Sequence, residues 1–196
     1  MGEQQATSGP AEVASVPLGG ARSICTVGHG TAEQEAFAQL LRAAGIELVV
    51  DVRRYPGSRR YPHFGQEAME QWLPEAGVEY MLLASLGGRR RVRPDSVHVG
   101  LRNEQFRAYA EHMDSSEFHA GVTALLELAA GARAAVMCSE SLWWRCHRRL
   151  LADHLVLVEG VAVHHLFHDG RLTPHPPTPV ARLDDDHLVY DGAPAD

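Results

Sequence analysis

The residues able to do chemistry crowd into a few short segments of this chain. The densest is Cys138-Ser139-Glu140-Ser141-Leu142-Trp143-Trp144-Arg145-Cys146-His147-Arg148. A thiol near a helix N-terminus and arginines has a lowered pKa and therefore more thiolate. Cys138 is thus either a nucleophile, with Glu140 as acid or base and His147 as proton carrier, or a small core residue at a strand end. Of the three cysteines, Cys138 is expected to form its thiolate most readily. Cys25 falls inside a strand, and Cys146 inside the following helix beside Leu150, so both read as packing residues. The Cys-x5-Arg spacing of a cysteine phosphatase loop is missed, because six residues separate Cys138 from Arg145.

Arginine supplies the second concentration. All 18 basic residues are arginine, and 11 of them fall in three segments: Arg53, Arg54, Arg59 and Arg60; Arg89, Arg90, Arg91 and Arg93; and Arg145, Arg148 and Arg149. Guanidinium forks grip phosphate or carboxylate bidentately, and a helix N-terminus adds free N–H groups. The expected ligand-binding set is Asp51, Arg53, Arg54, Arg59, Arg60, Tyr61, Arg89, Arg145 and Arg148. The competing reading pairs the arginines with Asp51, Glu104, Glu140 and Asp153, or leaves them solvating loops. His29, between two glycines after a strand, joins Cys138, Glu140 and His147 as a catalytic candidate. Cys138, Cys146, His147 and His29 are soft ligand types, but no Cys-x-x-Cys spacing occurs, so no metal ligand is assigned. Tyr55, Tyr61, Phe64, Trp143 and Trp144 flank the arginines, as in stacking sites for bases, or simply anchor loops.

These segments need a scaffold. A chain of 196 residues with 45% hydrophobic residues can bury the core of one domain without disulfides. Short apolar runs at Ser23–Val27, Glu47–Val52, Glu79–Leu83, Ala134–Cys138 and Val161–Leu166 read as strands. Helical patterns lie near Ala32–Ala44, Gln66–Glu75, Gln105–Met113, Glu117–Ala130 and Trp144–Val158. The alternation predicts a single-domain α/β three-layer sandwich with a mostly parallel five-stranded sheet. Ligands bind such sheets at the carboxyl ends of the strands, which is where the thiol and arginine segments fall. Residues 1–20 read as a disordered leader, 21–168 as the α/β domain and 169–196 as a Pro-rich acidic tail lying at most across the surface. The net charge of −7 is concentrated at the ends, and 21–168 carries 16 arginines against 17 acids. Any anion site must therefore be local. Three cysteines are too few for a disulfide framework, and no secretory signal or membrane span is evident. A cytoplasmic protein is expected.

Thr26-Val-Gly-His-Gly-Thr31, Val50-Asp-Val-Arg-Arg-Tyr-Pro-Gly-Ser-Arg-Arg60 with His63-Phe64, Leu86-Gly-Gly88, Phe106-Arg107 with Tyr109, and Met137-Cys-Ser-Glu140 with Cys146-His-Arg148 resemble, in that order, the domain-of-unknown-function 488 family. The resemblance covers about residues 23–168 and implies a compact α/β fold without implying an activity. Together with the arginines it leads to an expected Arg-rich cleft for a phosphate-bearing ligand, a nucleotide or nucleic acid, with thiol-dependent catalysis by a hydrolase or transferase. A non-catalytic nucleotide- or nucleic-acid-binding module is the rival, and a metal- or haem-binding protein the third reading. The expected partners are an anionic small molecule or nucleic acid and no membrane, with cofactor and oligomeric state open.

Overall fold

The computed structural model describes residues 23–57, 59–185 and 187–192. The leader expected at 1–20 lies outside these residues. Five strands run parallel: β1 (Ser23–Gly28), β2 (Leu48–Asp51), β3 (Glu79–Leu82), β4 (Ala134–Cys138) and β5 (Ala162–Leu166). A sixth, β6 (Leu172–Pro174), pairs antiparallel with β5, giving the order β3-β2-β4-β1-β5-β6. Five α-helices complete the domain: α1 (Gln34–Ala43), α2 (Gln66–Glu75), α3 (Glu104–Met113), α4 (Ser116–Gly131) and α5 (Arg148–Leu157).

The layering follows from the pleat, which sends successive side chains to opposite faces. Val49, Ala135 and Met137 pack with Phe37, Leu41, Met69 and Leu73 of α1 and α2. Their neighbours Val50, Ala134 and Val136 pack with Tyr109, Phe118, Leu125, Leu150 and Leu155 of α3, α4 and α5. Both faces of the central strands are therefore buried, the arrangement expected of parallel strands rich in Val and Ala. No described helix is long and apolar enough to cross a membrane.

Two sequence expectations need correction. The sheet has six strands, and the segment after residue 168 is integral to the fold. Besides β6, it supplies a hairpin of β7 (Arg182–Asp184) and β8 (His187–Val189). Asp153 on α5, fully buried, fastens this segment. It accepts hydrogen bonds from Thr178 N (2.8 Å), Thr178 Oγ1 (2.7 Å) and Tyr190 OH (3.1 Å), and pairs with His175 Nε2 (2.9 Å). A buried carboxylate needs this many donors to be tolerated, and the prolines between them do not prevent it.

The second correction concerns the helix predicted over Trp144–Val158. A short 3-10 turn, Trp143–Arg145, is separated from α5 by Cys146, whose backbone is extended (φ −117°, ψ 152°), and by the cap residue His147. Trp143 lies flat on His165 of β5, with ring centroids 4.1 Å apart and planes 5° apart. That stacking belongs to the 3-10 turn, so α5 begins afresh at Arg148. Cys146 consequently stands at a helix N-terminus instead of inside a helix.

Candidate functional site

The loops after β1, β2, β3 and β4 converge at the carboxyl ends of the strands. His29 N donates to Cys138 O and Gly30 N to Ser139 O, both at 3.0 Å, zipping the first and last of these loops together. A cavity of about 580 Å³ opens above them, a size suited to a small ligand. His29, Arg53, Arg54, Tyr61, Arg89, Cys138, Glu140, Arg145 and His147 line it, along with Tyr55, Phe106 and Cys146. Four expected site residues do not. Asp51 is fully buried beneath the wall, Arg148 is buried at 1% exposure, and Arg59 and Arg60 are exposed outside it.

Asp51 is a support for the wall. Its carboxylate accepts from Arg53 Nε (2.9 and 3.0 Å) and Nη2 (2.6 Å), from Arg53 N (3.0 Å) and from Tyr80 OH (2.8 Å). Burial works against the Arg53 charge, but the Asp51 carboxylate overrides it and holds the guanidinium above its ordinary pKa. Arg53 Nη1 in turn reaches His29 Nε2 at 3.3 Å, while His29 Nδ1 faces Gly30 O at 3.1 Å and the ring stacks on Phe64. An arginine can only donate, so His29 carries its proton on Nδ1 and accepts at Nε2. Burial and the Arg53 charge pull its pKa down to about 4. Both ring nitrogens are engaged and the ring is neutral, so His29 positions Arg53 and has no free nitrogen for proton transfer.

The floor of the cavity is sulfur. Cys138 Sγ, Cys146 Sγ and His147 Nδ1 all lie within 4.8 Å of one another, with Nδ1 4.0 Å from Cys138 and 3.6 Å from Cys146. Of the two thiols, Cys146 is the one whose surroundings favour the thiolate, where the sequence pointed to Cys138. Cys146 accepts the S–H of Cys138; burial opposes its charge, but Arg148 lowers it further through its own charge and backbone N–H, and the thiol falls to about 6. Cys138, as the donor of that bond and buried beside a thiolate, is pushed up to about 12. After the Cys138 bond, the start of α5 contributes next, because it brings the Arg148 charge and amide to Cys146. Arg148 needs this partner: no carboxylate bonds it among the described residues. Its guanidinium is held by Glu140 O and by Thr26 Oγ1 at 3.3 Å. Cys25 is buried away from the site, and burial raises its pKa although Arg133 opposes this. Cys146 is the cavity-lining thiol that the sequence reading left among the packing residues. The usable signal was the next pair, His147-Arg148, which forms a helix cap and first helical residue.

The three arginine segments divide by role. Arg53 and Arg148 are buried supports, Arg90 bonds Gly87 O, Ser85 O and Glu117, and Arg149 donates to Thr178 Oγ1. Arg93 pairs with Asp95, and Arg60 lies over the Tyr61 ring. Arg54, Arg89 and Arg145 line the cavity and have no acidic partner among the described residues. The lone carboxylate in the lining, Glu140, accepts from Leu142 N at 3.1 Å. Arg89 adopts φ +59°, a left-handed conformation that costs about 1–2 kcal/mol in a residue with a Cβ. Glycines permit the loops to touch. A Cβ on Gly28 would collide with Glu140 O, one on Gly87 would stand 2.7 Å from Arg54 N, and one on Gly88 2.8 Å from His147 Nδ1.

A search of the curated proteins and of the solved structures found no significant match. A family comparison did. The family described as Domain of unknown function DUF488 matches residues 33–155, a span that holds Arg53, Arg54, Arg89 and the whole sulfur floor. Matched over well over half its length, the chain belongs to the DUF488 family.

Proposed function

We propose that the cavity binds a phosphate-bearing ligand of about mononucleotide size and presents it to the Cys138–Cys146–His147 floor. The observation that carries this reading is the charge of the lining: among the described residues, Arg54, Arg89 and Arg145 are without acidic partners, against one carboxylate, Glu140. Arg53 is already neutralised by Asp51. Unpaired guanidinium groups on a concave surface attract anions and bind phosphate through charge-assisted hydrogen bonds. Tyr55, Tyr61 and Phe106 offer aromatic faces for a base. All three cysteines are free, which supports a reducing, cytoplasmic setting.

The test is calorimetric titration of the protein with AMP, ADP and inorganic pyrophosphate, with adenosine as the uncharged control. Arg54→Ala and Arg145→Ala should each weaken phosphate-ligand binding about 10- to 150-fold, the worth of one charge-assisted bond, and added salt should weaken it further. Binding indifferent to phosphate, to both substitutions and to salt overturns the reading. Tyr55 is 64% exposed with Arg54 5.8 Å from its ring, and this favours single-stranded nucleic acid as the second reading. A short oligonucleotide binding more tightly than the mononucleotides would select it.

A further inference from the structure

We infer that Cys138, Cys146 and His147 form a three-ligand site for a soft divalent cation of the zinc class, with the fourth coordination position facing the cavity. The inference is independent of the anion reading, because it stands on three ligand atoms and not on the arginines.

Donor type comes first. Two sulfurs and one imidazole nitrogen form the Cys2His set that suits zinc and related soft ions and is poor for magnesium or calcium. Geometry comes second. Tetrahedral bonds of about 2.3 Å to sulfur and about 2.0–2.1 Å to nitrogen set the sulfur–nitrogen separation near 3.5 Å. The structure has 3.6 Å from His147 Nδ1 to Cys146 and 4.0 Å to Cys138. Closing on an ion therefore asks for a few tenths of an ångström at the farther thiol. Both sulfurs and the imidazole converge within 4.8 Å, so one ion can reach all three.

Position comes third. Cys138 ends β4 and Cys146 precedes α5, so two elements of the core fix the sulfurs, at 7% and 5% exposure. His147 caps α5, with its ring 4.9 Å from that of Tyr109 and Gly88 pressed against it. All three ligands also line the cavity. Three protein ligands with one open side is the pattern of catalytic zinc sites, whereas structural sites are closed by a fourth residue. The open side here is the space beneath Arg54, Arg89 and Arg145. Two thiolates also match the charge of a divalent cation, so the buried Arg148 would face a neutral centre. The spacing, with seven residues between the cysteines, hides the site from motif searches.

The test is titration of the reduced, chelator-treated full-length protein with cobalt(II) chloride, followed by zinc chloride in competition. We expect one cobalt per chain, a thiolate-to-cobalt charge-transfer band with the visible bands of a tetrahedral ion, and displacement by zinc. Cys138→Ser, Cys146→Ser and His147→Gln should each weaken cobalt binding by at least about 100-fold, since even outer partners of a ligand are worth 10- to 100-fold. Cys25→Ser and Arg54→Ala should leave it unchanged. Should a variant fail to fold, alkylation of the wild-type protein decides: zinc should shield Cys138 and Cys146 from a thiol reagent. The inference is overturned if the reduced protein takes up no cobalt, if uptake lacks the charge-transfer band, or if zinc leaves both thiols equally reactive. Loss of phosphate binding in Arg54→Ala with cobalt uptake intact separates the two readings.

Discussion

Asp51→Asn is expected to cost about 3–5 kcal/mol of folding stability, the range for removing one partner of a buried ion pair. Asp51 is fully buried and Arg53 is 6% exposed, and three hydrogen-bond contacts of 2.6–3.0 Å join their side chains. Asn keeps the shape but has one acceptor oxygen where Asp51 uses two, for Arg53 N and for Tyr80 OH, so the loss combines the charge with at most one of these bonds. Most of the loss is the uncompensated guanidinium, so removing that charge as well should return much of the stability. Asp51→Asn with Arg53→Met is expected to recover to within about 1–2 kcal/mol of wild type, because a buried pair is close to neutral against apolar replacements of similar volume. Urea unfolding at pH 7 provides the assay, with the slope checked for constancy across the variants. In heat, the single variant should melt about 6–20 °C lower, at about 2–4 °C per kcal/mol for a chain of this length. A double variant no more stable than Asp51→Asn would refute the reasoning, because the two losses would then be independent.

Two further outcomes follow from the buried polar groups. His165, held down to about 3 by burial and by the charges of His175 and Arg148, and His29, at about 4, stay neutral in the fold but take up protons when unfolded below about pH 6.5. Their stabilising effect is fully present above pH 6.5 and is lost as pH falls toward those values, each adding a slope of up to about 1.4 kcal/mol per pH unit. Urea midpoints from pH 7 to 4 should fall accordingly, and less steeply in His165→Gln; a flat profile contradicts the assignment. Ending the chain after Pro174 removes His175, Thr178 and Tyr190 from Asp153. It should cost at least about 3 kcal/mol in the same assay, and a truncated chain as stable as the full one would show that these bonds contribute nothing.

Where local pattern and tertiary need agree, the sequence was legible. Gln66–Glu75 and Ala134–Cys138 were bounded correctly, because Gly65, Gly77 and an unbroken apolar run mark them on their own. The parallel sheet followed from alternation of element types. The break at Cys146 was illegible, because Trp144 to Val158 is helical in pattern and the interruption comes from Trp143 stacking on His165, a partner 22 positions away. That break is what places Cys146, and not Cys138, at the start of α5. The segment after residue 168 was misread for a similar reason: its prolines and aspartates look like a tail until Asp153 supplies the opposing group. The clustering of the arginines was legible and led to the expectation of an anion site. Which of them face the cavity depended on Asp51, Glu117 and Glu140 O, contacts that no local pattern encodes.

The glycines at the strand ends have a mechanical consequence. Gly28 lies against Glu140 O, Gly87 against the Arg54 backbone and Gly88 against the His147 ring, so these loops abut with no side chain of their own at the glycines as padding. Such a base has little slack, and its atoms move together or not at all. Compliance in the pocket resides instead in long side chains without acidic partners among the described residues, Arg54, Arg89 and Arg145, whose guanidinium tips can swing several ångströms by rotamer changes alone. A ligand with a longer or shorter charged arm would be accommodated by regrouping those tips while the sulfur atoms keep their spacing. Compliance and rigidity would then coexist in one pocket, divided between flexible side chains above and a glycine-jointed base below.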